Sequence, residues 1–184
     1  FTRIFQDYHT KFKDLSSAIG SKPEGTPGKH ELQEAIAHTE ASLPEMWKLL
    51  SEADRLEKSD PDSAERLYQQ AVTNFPQHPD SLGNYAVFLK NIRHSPDDAE
   101  ALFKRAIKAD PKAANNLGNY ALFLTDTRRD HDSAEALYKL AIEADPNTNH
   151  LGNYALFLTD VRNDHDGAEA LYKRTIEADP SEAN

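Results

Sequence analysis

LGNYALFLTDTRRDHDSAEALYKLAIEADP, residues 117–146, returns at residues 151–180 as LGNYALFLTDVRNDHDGAEALYKRTIEADP, identical at 25 of 30 positions. A looser copy, LGNYAVFLKNIRHSPDDAEALFKRAIKADP, occupies residues 82–111, and a fainter one ends at Pro76. The alanines that precede a glutamate in each copy, Ala64, Ala99, Ala134 and Ala168, lie 35, 35 and 34 residues apart. A period of this length marks a chain of small supersecondary units. None can bury its own apolar face, so the copies must stack.

Each copy divides into two helices. In the second, Ala134, Leu137, Tyr138, Ala141 and Ile142 recur at three- and four-residue spacing and predict one apolar face. Asp132-Ser133-Ala134-Glu135 has the form of a capping box, repeated at Asp62–Glu65, Asp97–Glu100 and Asp166–Glu169. Asp145-Pro146 ends the helix, because proline disfavours the helical conformation of the residue before it. The first helix, roughly Asn115 to Thr127, is apolar around most of its circumference and must be covered on more than one side. On this reading Tyr138 and Leu137 are buried between copies, with Tyr172 and Leu171 less completely so.

The small Ala134, the aromatic Tyr138, the small Ala141 and the closing Pro146 resemble the second-helix signature of the tetratricopeptide repeat family. The pattern YALFL followed by an AEALYKxxI helix also resembles the half-a-TPR subgroup. The resemblance covers roughly three quarters of the chain. It implies an all-α fold, a right-handed α-solenoid of antiparallel helix pairs, with copies at 42–76, 80–111, 115–146 and 149–180. One departure stands out. Leu117 follows Pro111 by six residues and Leu151 follows Pro146 by five, closer than in the family. The expected consequence is a first helix that has slid by about one turn, with a longer segment ahead of the second.

The N-terminal 41 residues have their own pattern. Phe1, Phe5, Tyr8, Phe12, Leu15 and Ile19 form a seam of period 3.5, which predicts a helix packed on its neighbours or, less simply, a coiled coil. Gly20 to Gly28 reads as a loop. His30 to Ala41 predicts a second helix. Ser42-Leu43-Pro44-Glu45 predicts a fresh helix start, the alternative being one long helix from His30 kinked at Pro44. Residues 1–41 are thus a cap, a decayed repeat or the tail of a preceding domain. Ser181–Asn184 follows Pro180 as residues 112–115 follow Pro111, so the chain is expected to stop inside a repeat.

Composition narrows the function. The 184 residues are 38% hydrophobic and 28% charged, with a formal charge of −10. An acidic chain is a poor duplex nucleic-acid binder and a poor ligand for anionic membranes. No apolar run reaches transmembrane length and no signal peptide is visible. The absence of cysteine excludes disulfides, thiolate catalysis and cysteine-based zinc sites, and fits a reducing interior such as the cytoplasm.

No catalytic constellation, phosphate-binding glycine loop, metal site or cofactor is expected. Serines and threonines fall at caps and loops. His131 and His165 share one inter-helix turn. Asp164-His165-Asp166-Gly167 has a calcium-loop flavour, but Arg162 would hold the first ligand position and no bidentate Glu follows. Arg93, Arg128 and Arg162 recur before the turn, where pairing with a nearby Asp is expected.

Asparagine recurs where a helix does not favour it, at Asn84, Asn119 and Asn153. Phe88, Phe123 and Phe157 lie four residues on, and Asn91, Asp126 and Asp160 seven on, along one stripe of each first helix. By the family resemblance this stripe lines a concave groove, where amides would bond a peptide backbone and aromatics would pack its side chains. The competing reading makes Asn a gap-filler between helices and Phe core. The chain is therefore expected to be a non-catalytic scaffold that binds a protein or peptide segment of basic character. The alternatives are an oligomerisation module, self-associating through the C-terminal end or the N-terminal helix, and a regulatory or sensor module of a larger enzyme or signalling protein.

Overall fold

The computed structural model describes residues 17–23 and 26–178. Among the described residues there are helices, turns and loops and no strand, so the fold is all-α. Two compact units divide between Asn74 and Phe75. The first holds a helical stretch at residues 17–20, α1 (Lys29–Leu56) and α2 (Pro61–Asn74). The second holds α3 (Pro79–Phe88), α4 (Pro96–Ala109), α5 (Ala114–Phe123), α6 (His131–Ala144), α7 (Thr148–Phe157) and α8 (His165–Ala178). Each first helix of the second unit continues as a π-helical turn, π1 (Leu89–Arg93), π2 (Leu124–Arg128) and π3 (Leu158–Arg162).

In the first unit, α1 continues as helix through Pro44. The expected helix start at Ser42 does not occur, and the single long helix is what forms. Proline removes one backbone hydrogen bond and crowds the preceding turn. Beyond it, Met46, Trp47, Leu50 and Ala53 are buried and α1 packs on α2, whose Ala64, Tyr68 and Ala71 are buried too. That packing holds the helix across its weak point. Of the predicted N-terminal seam only Ile19 is described, and it is buried; Phe1 to Leu15 lie outside the described residues, as do Ser181–Asn184.

The second unit is an α-solenoid of three stacked helix pairs, α3/α4, α5/α6 and α7/α8. Small residues let the pairs close. Ala99, Ala134 and Ala168 are buried in the second helices, and Ala86, Ala121 and Ala155 in the first. Aromatic rings fill the space between pairs. Phe103 lies 5.5 Å, centroid to centroid, from both Tyr120 and Phe123. Tyr138 lies 5.8 Å from Tyr154 and 5.3 Å from Phe157. Leu137, expected in the core, is only half-buried, and Tyr172 is exposed, although Leu171 is buried. The ring at the following position, not the leucine, is what the next pair covers.

The caps also differ from expectation by two residues. Asp130, not Asp132, accepts from the Ser133 N–H at 3.2 Å. Asp60 and Asp164 cap α2 and α8 in the same way, from Ser63 and Gly167. Asp164 is thus a cap residue, which accounts for the calcium-loop flavour of its neighbourhood. Asp132 and Glu135 are left free for partners in the following repeat.

The π turns resolve the departure in repeat spacing. A five-residue turn takes up the longer segment between the helices. The Leu124 carbonyl accepts from the N–H groups of both Arg129 and Asp130. Each turn then ends on a residue with positive φ that is not glycine: His94 at 54°, Arg129 at 58° and Asn163 at 55°. Asparagine tolerates this region better than arginine. Arg129→Asn should raise unfolding free energy by about 0.5–1 kcal/mol, read as a higher melting temperature; a lower one would show that the arginine side chain compensates for the strain.

Candidate functional site: the exposed face of the first helices

The first helices α3, α5 and α7 pack on one another in sequence. Glycine permits the approach. A Cβ added to Gly83 would collide with the Asn116 side chain, and one added to Gly118 would sit 3.2 Å from Nδ1 of His150. Asn116 and His150 are both buried.

On the open side of these helices the predicted stripe separates into two sets. Asn84, Asn119 and Asn153 are half-buried, and Asn91, Asp126 and Asp160 are exposed. Phe88, Phe123 and Phe157 are at most 2% exposed and belong to the core. The phenylalanines therefore cannot pack a ligand side chain on this face without the array opening. The residue on the other side of each Asn reaches the surface instead. Leu122 is 38% and Leu156 52% exposed, and Val87 at the same place is half-buried. Each lies three residues after its Asn and four before the exposed Asn or Asp. Sequence reading passed over these leucines because the helix is apolar all round. Their only mark in the sequence is the recurrence of an aliphatic residue at this position in the three clearer copies.

Charge on the face is uneven. Lys90 Nζ reaches Asp126 Oδ2 at 3.4 Å, bridging successive first helices. Thr125 stands at the equivalent place in the next repeat and donates instead to the Ala121 carbonyl at 2.9 Å. Asp160 is thus left without an ion pair among the described residues. The C-terminal end of the face is the more electronegative end.

Behind the face, arginine clamps tie the repeats together. The Arg128 guanidinium lies 5.5 Å from the centre of the Phe123 ring. Its Nε donates to Glu100 Oε2 at 2.7 Å and its Nη2 to Asp97, both on the second helix of the preceding pair. Arg162 repeats the arrangement over Phe157, with Glu135 and Asp132. Arg93 lies over Phe88. The expected pairing with Asp holds for Arg128 and Arg162, and its partners come from across the repeat interface. Lys104 first, then Arg128, holds the Glu100 carboxyl below its ordinary range; Lys139 and Arg162 do the same for Glu135. Among the described residues, no group of three or more His, Asp or Glu is placed to hold a metal ion, and no helix is long and apolar enough to cross a membrane.

The sequence pattern of the tetratricopeptide repeat matches residues 93–149 and, in a second register, residues 127–183. Residues 93–183 are tetratricopeptide repeats. Solved structures agree in fold. A thermophilic tetratricopeptide-repeat protein of Thermus thermophilus superposes with a TM-score of 0.64 at 17% identity, over 93% of this chain and 91% of its own. The tetratricopeptide domain of Sgt2 from Aspergillus fumigatus gives 0.51 at 25% identity, over 74% and 83%. YrrB, described as a tetratricopeptide protein with an unusual peptide-binding site, gives 0.52 at 15% identity, over 79% and 84%. Among curated proteins none matches the sequence. A tetratricopeptide array is in general a protein-interaction scaffold.

Proposed function

We propose that the exposed first-helix face binds an extended peptide segment of a partner protein and that the array does no chemistry of its own. The observation that carries this reading is the pair Leu122 and Leu156, exposed at one place in successive repeats. Each is flanked by an amide, Asn119 or Asn153, and by a carboxylate, Asp126 or Asp160. Leucine on a surface loses the free energy of burial, so a recurrent one fits a face that is covered when bound. The asparagine amides offer both a donor and an acceptor to a peptide backbone. Packed helices lie about 8–10 Å apart, and an extended chain advances about 3.3 Å per residue. Every third residue of such a peptide would then meet the next repeat. Asp160, lacking a counterion, favours a lysine or arginine at that end, so the ligand is basic in character. Acidic charge on the array disfavours nucleic acid and anionic membrane surfaces.

Selection of random 12-residue peptides on the 184-residue protein tests the proposal. Enriched peptides should carry apolar residues three apart and a Lys or Arg near one end. Leu122→Ala with Leu156→Ala should weaken them at least tenfold, about 1.4 kcal/mol. Asn119→Ala with Asn153→Ala should cost roughly 1 kcal/mol per lost hydrogen bond, leaving the helical circular dichroism intact. Binding should weaken with added salt. Absence of enrichment, or binding loss only in variants that melt, would refute the groove.

A further inference from the structure

The first-helix face offers nearly the same subsite twice. Asn119, Leu122 and Asp126, on α5 and π2, recur as Asn153, Leu156 and Asp160 on α7 and π3. A peptide held by one of these sets could slide by one repeat and meet the same residue types, so repetition leaves its register open. On π1 the place of the two aspartates is taken by Asn91, which carries no charge. Asp126 and Asp160 are thus the two seats that compete for a basic side chain.

What tells them apart lies one repeat earlier. Lys90 Nζ stands 3.4 Å from Asp126 Oδ2. The Lys90 side chain is only 18% exposed, so the array holds its stem and keeps the ammonium beside the carboxylate, whose own side chain is 52% exposed. The corresponding residue ahead of Asp160 is Thr125, buried and bonded to its own helix. Thr159 in the third copy also turns back, donating to the Ala155 carbonyl at 3.0 Å. Lysine is therefore the exception among the three copies, and it stands where it neutralises one of two otherwise equal carboxylates. The contrast is internal to the array, because the position that would pair with Asp160 is that of Thr125.

We infer that Lys90 fixes the register of the bound peptide, closing Asp126 to basic side chains and leaving Asp160 as the seat for one lysine or arginine. This rests on the peptide-binding reading of the face. The ligand is then a segment with a single basic residue, next to the apolar residue that covers Leu156. The step from one helix to the next spans about three residues of an extended chain. A second basic residue at that distance would meet Asp126 with Lys90 already beside it and gain nothing, since like charges this close repel. Without Lys90 the face has two seats.

Selection of random 12-residue peptides on the wild-type protein and on Lys90→Thr, the residue of the other two copies, tests this. Wild type should enrich peptides with one Lys or Arg, and Lys90→Thr peptides with two, three residues apart. The most enriched wild-type peptide is then labelled and compared by anisotropy with a version carrying a second Lys three residues from the first, toward its other apolar residues. At physiological salt, where distant charges are screened, the two should bind wild type equally. The second should bind Lys90→Thr about threefold more tightly, the scale of one partly exposed ion pair. Lys90→Met, which keeps the stem and removes the charge, should behave as Lys90→Thr, and Lys90→Arg as wild type. Peptides with one basic residue from both wild type and Lys90→Thr overturn the inference while the groove stands. So does a gain in Lys90→Thr that Lys90→Met does not share, and so do wild-type peptides that already carry two basic residues three apart. No enrichment on wild type refutes the groove itself, and the inference with it.

Discussion

Phe123→Ala should lower the unfolding free energy by about 3–5 kcal/mol, the usual cost of emptying a packed aromatic site. The ring has no exposed surface and touches Phe103 and Tyr120, so no solvent-facing rearrangement can fill the space. It also carries the Arg128 guanidinium on its face. Loss of the ring loosens an arginine that joins two repeats, so neighbouring pairs should lose cooperativity as well as stability. Leu122→Ala, one residue earlier, should cost under about 1 kcal/mol, because that side chain is already 38% exposed. Chemical denaturation of the two variants checks the contrast. Similar losses would mean that α5 is rotated about its axis, with Leu122 turned inward and the binding face turned with it.

The second large effect is expected with pH. Burial pushes the His78 imidazole down to about 4. Burial also lowers His150, against a smaller opposing pull from Asp145. A histidine held neutral in the folded state binds fewer protons than its unfolded counterpart. Its stabilising contribution is therefore complete above the unfolded value near 6.5 and is lost as pH falls from there toward the folded value. His78 is still partly solvated, and its share of the loss is about 2 kcal/mol between pH 6.5 and 4. The carboxylates act lower down. Glu100 and Glu135, both depressed by their cations, contribute stability above about pH 4.5 that disappears as pH drops through their folded values. Urea midpoints measured at pH 7, 5.5 and 4 should fall in step. His78→Gln combined with His150→Asn should flatten the curve between pH 6.5 and 4 and keep the decline below it. Asn is the residue buried at the equivalent place in the preceding repeat, at Asn116, so the substitution has room. An unchanged slope in the double variant would assign the acid sensitivity elsewhere.

The chain's periodicity, by itself, determined the helix pairs and most of the core. A 34- or 35-residue period with Ala134, Tyr138 and Ala141 on one helical face leaves few ways to bury those residues other than stacking. Pattern also located the stripe that begins at Asn119. It could not say which flank of that asparagine faces water. Leu122 and Phe123 lie three and four residues on, both apolar, both within reach of the same surface. The aromatic cluster of the preceding pair decides, since Phe103 needs a ring opposite it and draws Phe123 inward, leaving Leu122 outside. The same holds for the acids. The sequence pattern points to Asp132 as the cap, but in the fold Asp130 caps the helix and Arg162, arriving from the next repeat, takes Asp132 into a salt bridge. Pro44 reads as a break, yet burial of Met46, Trp47 and Leu50 carries the helix across it. Local sequence sets what each segment can do, and where two options are nearly equal in energy, contacts between segments far apart in the chain choose one.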